Sequence, residues 1–176
     1  MKSSLLLCSS VVAASLLAGC AQPGPPAEAP RPALAAHSPA LALQAIRRAD
    51  EGLDSAVQVQ PLRDADIESF LARAHAAERA GQIDTAVAEA EQALGLAPEA
   101  PDILQYRAEL EVARGQWQQA EQFAIRSFTL GPKVGGLCAR NWQTVVEARL
   151  ALDDAATMEQ AKKRLAECRV KPRLRM

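Results

Sequence analysis

Few side chains in this 176-residue chain can do chemistry: four cysteines, two histidines, and carboxylates spread along its length. His75 has Glu78 one helical turn on, a spacing at which a carboxylate can orient an imidazole for general-base work. No serine or cysteine stands in a nucleophile-elbow setting to use such a base, and Gly135-Gly136 lacks the lysine and hydroxyl of a phosphate-cradling loop. His37 has no second ligand at metal spacing, and neither Cys138 nor Cys168 has a histidine nearby, so no metal or other cofactor is expected. His75 is assigned to a groove or a solvated helix face, and His37 to solvent. The expectation is a binding protein rather than an enzyme, and a net charge of −1 gives no field suited to nucleic acid.

The cysteines are where covalent chemistry remains. Met1-Lys2 gives a positive start, and the apolar, serine-spotted run from Leu5 to Leu17 is too short for a comfortable membrane span but suits a secretory signal. The run closes on Leu17-Ala18-Gly19-Cys20, which resembles the lipobox of bacterial lipoproteins. That resemblance implies cleavage before Cys20 and acylation of its thiol. With each buried methylene worth about 0.8 kcal/mol, two or three acyl chains hold a protein on the bilayer. By resemblance to the enterobacterial sorting rule, Ala21 after the lipidated cysteine implies the outer membrane, periplasmic side. Residues 20–39 follow with Pro23, Pro25, Pro26, Pro30, Pro32 and Pro39 and almost no large apolar side chain, a tether of roughly 60 Å if extended like polyproline.

The elements beyond the tether are helical. Aromatic residues make up 3% of a chain that is 49% hydrophobic, so the apolar content is mainly Ala, Leu and Val and favours helices over sheets. Laying 67–100 over 101–134, an offset of 34, pairs Arg73/Arg107, Ala74/Ala108, Gly81/Gly115, Gln82/Gln116, Ala86/Ala120, Ala90/Ala124, Leu96/Leu130 and Pro98/Pro132. Phe70, Ala74 and Ala77 share one helical face, as do Ala86, Ala90, Ala93 and Leu94 after the break at Gly81-Gln82. Asp84 is placed to cap the second helix, and Pro101 with Asp102 to start the third. This 34-residue period of helix pairs resembles the tetratricopeptide repeat family, which implies an all-α short solenoid.

A degenerate third unit spans 135–170, with Leu137, Trp142, Val145, Val146 and Leu150 in one helix and Met158, Ala161, Leu165 and Cys168 on a face of another. It lacks the turn glycine and closing proline, as suits a terminal cap. Residues 40–66 hold a leading helix, with Ala42, Ile46, Ala49 and Leu53 in phase, expected to pack on the first repeat, and a connection. With Cys8 removed and Cys20 acylated, Cys138 and Cys168 remain in an oxidising compartment, about equally far from a turn near Asp153, and are expected to form a disulfide.

In the resembled family the first helices of successive repeats line a concave groove. Carried over, that groove includes Glu68, Leu71, His75 and Glu78, then Asp102, Gln105, Glu109 and Val112. Its mildly acidic, mixed lining favours a basic or apolar segment as ligand. Residues 171–176 are a basic tail. The resemblance implies a scaffold for envelope proteins, assembling a pilus, secretion or export machine on its lipid anchor, with self-association open for so short an array. The alternative is an accessory regulator that recruits or activates a cell-wall enzyme.

Overall fold

The computed structural model describes residues 37–53 and 62–169. The signal, Cys20, nearly all of the tether and the basic tail lie outside these residues. Seven α-helices and no strand are found in the described part: α1 (Pro39–Arg48), α2 (Ala65–Arg79), α3 (Ile83–Leu96), α4 (Pro101–Ala113), α5 (Trp117–Leu130), α6 (Gly136–Ala151) and α7 (Ala155–Glu167). α2/α3, α4/α5 and α6/α7 pack as hairpins, with α3 against α4 and α5 against α6 linking them in a row.

The turns explain why the chain reverses where it does. In the first, Gly81 at φ 74° donates its N–H to Glu78 O and Gln82 donates to Ala77 O, both at 2.9 Å. In the second, Gly115 at φ 72° repeats this with Val112 O, and Gln116 with Glu111 O, again at 2.9 Å. These paired bonds satisfy carbonyls that a helix end otherwise leaves bare, and they need a residue in the left-handed region. The third turn has the same pattern without a glycine: Asp153, at φ 56°, donates to Leu150 O and Asp154 to Arg149 O. A short polar side chain is among the few that tolerate that conformation. The unit that lacks a turn glycine in sequence therefore makes the same turn.

Asp84 does not cap α3. Gln82 stands at that N-cap without a side-chain bond, while Asp84 sits in the first turn and pairs with Arg114 Nε at 3.0 Å. The carboxylate that caps a helix in the third unit is Asp154, whose Oδ1 accepts the Thr157 N–H at 3.0 Å. Leu150 is exposed rather than on the packed face of α6. Alanines 74, 77, 86, 90 and 93 are buried between α2 and α3, where small side chains let the axes approach.

Two placements differ from expectation. α1 packs on α4 and α6 rather than on the first hairpin, which it meets through an ion pair from Arg47 to Glu78. Every residue of α4 from Ile103 to Val112 is buried, four polar ones included, because α1, α3, α5 and α6 surround it.

Candidate functional site

Beside α1 and between α2, α4 and α6 lies a cavity of about 440 Å³ lined by Arg47, His75, Glu78, Arg79, Tyr106, Glu109 and Arg140. Each lining side chain comes from a helix whose position depends on another hairpin. Arg47, near the end of α1, places its guanidinium between two carboxylates, Nη2 at 2.5 Å from Glu78 Oε1 and Nε at 3.0 Å from Glu109 Oε2. Arg140 of α6 donates from Nε to Glu109 Oε1 at 2.9 Å and from a second guanidinium nitrogen to the same oxygen. Behind the lining, the buried Gln105 donates from Nε2 to Glu109 Oε1 and to Thr144 Oγ1, each at 3.0 Å.

Tyr106, the single tyrosine of the chain, donates its hydroxyl to Glu78 Oε2 at 3.0 Å, and its ring lies 4.2 Å from the His75 ring. Burial, then the Glu78 charge, push its phenol above the ordinary range, so it serves as a fixed donor. Burial works against the Arg47 charge, but the Glu78 and Glu109 carboxylates outweigh it and hold its pKa above the ordinary value. The carboxylates are recessed, with Glu109 wholly buried, whereas His75 and Arg79 are exposed at the rim. His75 Nδ1 stands 3.8 Å from Glu78 Oε2, beyond hydrogen-bond distance. This arrangement offers a partner directional donors around a neutralised acidic floor, a geometry for recognition.

The residues carried over from the repeat resemblance divide here. His75, Glu78 and Glu109 do line the cavity. Leu71 does not line a groove: it is a core residue packed with Ile67, Ala74 and Ala77. Gln105 and Val112 are buried and not open to a ligand, because α1 and α6 cover them, and Glu109 meets the cavity only as its buried floor. Glu68 and Asp102 lie away from the cavity and are joined through Arg63, which pairs with both. His37, expected in solvent, is half-buried with Nε2 at 2.5 Å from Glu147 Oε2 and its ring 5.5 Å from that of Trp117. Arg47, Arg79, Tyr106 and Arg140 were not anticipated. The signal for Arg47, Tyr106 and Arg140 is polar pairing between helices far apart in sequence, which periodicity within one repeat does not carry.

Cys138 and Cys168 form a disulfide with Cα atoms 5.6 Å apart, and the Gly135 N–H donates to Cys168 O at 2.8 Å, closing the base of the third hairpin. Among the described residues no group of side chains suits a metal ion, and no helix is long and apolar enough to cross a membrane.

The domain is similar to that of a known protein. The solved structure of the globular C-terminal domain of P. aeruginosa LpoP superposes with a TM-score of 0.56 at 28% identity, over 60% of this chain and 99% of that domain. No family model matches the chain, and no curated protein does. The likeness to the LpoP domain supports the all-helical architecture independently of the 34-residue repeat.

Proposed function

We propose that this chain is a lipid-anchored lipoprotein of the outer membrane, of tetratricopeptide-like build, whose helical domain recruits or activates a cell-wall enzyme by docking on it. The likeness to the LpoP domain supports the regulator reading over assembly of a pilus or export machine. The cavity at Arg47 and Tyr106 supports docking over catalysis, because its carboxylates are already neutralised and its histidine has no hydrogen-bonded partner acid. Lipidation rests on Leu17-Ala18-Gly19-Cys20 and the tether behind it.

The test is affinity capture of the whole chain from gently solubilised envelopes, read by mass spectrometry, with Arg79→Glu at the cavity rim as the docking variant. Enrichment of a peptidoglycan-synthesising enzyme, lost in Arg79→Glu, is the expected result. Capture of pilus, secretion or export components instead would return the assembly reading, and capture indifferent to Arg79 would remove the cavity from the interface. Labelled palmitate should enter the wild type and not Cys20→Ser; equal labelling of both would overturn the anchor.

A further inference from the structure

α1 stands apart from the other six helices. They pair into hairpins with their sequence neighbours, whereas α1 lies by itself across α4 and α6. Two kinds of contact hold it. Ala42 and Ile46 are wholly buried in a cluster with Val112 and Ala120. Arg47, the next residue, joins carboxylates of two different hairpins, Glu78 and Glu109, while His37 before the helix meets Glu147. The cradle under α1 is thus an apolar floor edged by three carboxylates, two of which the Arg47 guanidinium of α1 matches, while His37 just before the helix meets the third.

We propose that this cradle is a docking groove for a cation-bearing amphipathic helix of the partner, and that α1 is its resident occupant. The proposal rests on the docking reading above and names the chemistry of the partner: small or branched apolar side chains four residues apart, with an arginine immediately after the second. Charge complementarity carries it. A guanidinium in the Arg47 position satisfies Glu78 and Glu109 together, and no other described cation reaches both. α1 is suited to exchange. Its N-cap, Ser38, makes no side-chain bond, a helix of ten residues is marginal without its docking site, and the Arg47 side chain is 42% exposed. Its advantage over an incoming helix is covalent connection, which keeps its effective concentration high. A partner helix therefore competes with α1, and whatever loosens α1 strengthens docking.

The probe is a labelled synthetic peptide copying residues 38–52, with a second version in which the arginine corresponding to Arg47 is alanine. Both are titrated against the soluble Cys20→Ser chain, with and without Arg47→Ala or Ile46→Ala to loosen the resident helix. Either loosened chain should bind the peptide roughly tenfold or more tightly than the parent. The peptide lacking arginine should lose that gain, and Glu78→Gln added to Arg47→Ala should weaken binding. Circular dichroism melting reports that each chain is folded, and two independent loosening variants guard against failure of one. Equal affinity for parent and loosened chains, or indifference to the arginine of the peptide, overturns the proposal. So does a loosened chain that sediments as a dimer and takes up no peptide, which assigns the cradle to a second copy. Because no cell-wall enzyme enters this titration, its failure and failure of the capture experiment are separate results.

Discussion

Glu109 sits in a helix that is buried on every side, and its carboxylate has no exposed surface. The repeat resemblance implies that it faces a groove. That inference holds only where no other element supplies counter-charges, and here Arg47 and Arg140 arrive from positions 62 and 31 residues away. Breaking a wholly buried ion pair costs roughly 3–5 kcal/mol. Both guanidiniums here reach water, so Glu109→Ala is expected to lower the urea-unfolding free energy by about 2–3 kcal/mol, with Glu109→Gln costing less. Asp154 is a simpler case. The Thr157 backbone N–H and side chain, then Arg149, hold its carboxyl below the ordinary 3.8. A depressed folded-state pKa means that the stabilisation is complete above the unfolded value and is lost as pH falls through the folded one. Asp154→Ala should therefore lower Tm at neutral pH, and its difference from wild type should shrink progressively below pH 3.8, as thermal melts across that range would show.

At the scale of elements, the hairpins were legible because their causes are local. Gly81 and Gly115 mark left-handed turns, small residues mark close helix contacts, and prolines mark starts and stops. The third turn was less legible, since Asp153 fills the glycine position under a different side chain. The disulfide acts on this same hairpin. It joins positions 30 residues apart, a loop for which chain-entropy arguments give roughly 3–4 kcal/mol. Cys138→Ser, or reduction of the wild type, is expected to lower stability by up to about that amount, measured by guanidinium unfolding. α1 was legible as a helix from Ala42 and Ile46, but its docking site was not. An amphipathic stripe states that a face is buried and leaves open what buries it.

For the whole molecule, α4 is the common partner of α1, α3, α5 and α6, so both outer hairpins lose contacts when α4 is lost. The three hairpins are expected to unfold as one unit. In a Trp117→Phe chain, the fluorescence of Trp142 should track far-UV ellipticity through a single urea transition; separate midpoints would show that the hairpins fold independently. By itself the sequence determined the helical class, the 34-residue period and the turn positions, all of which depend on neighbours within a few residues or on spacing along the chain. Tertiary structure alone decided that α1 covers the expected groove, that Gln105 and Glu109 are buried, and that Arg47, Tyr106 and Arg140 surround a cavity. The reason is physical: whether a polar side chain faces water or a counter-charge depends on elements brought together from distant parts of the chain, and no local period records that meeting.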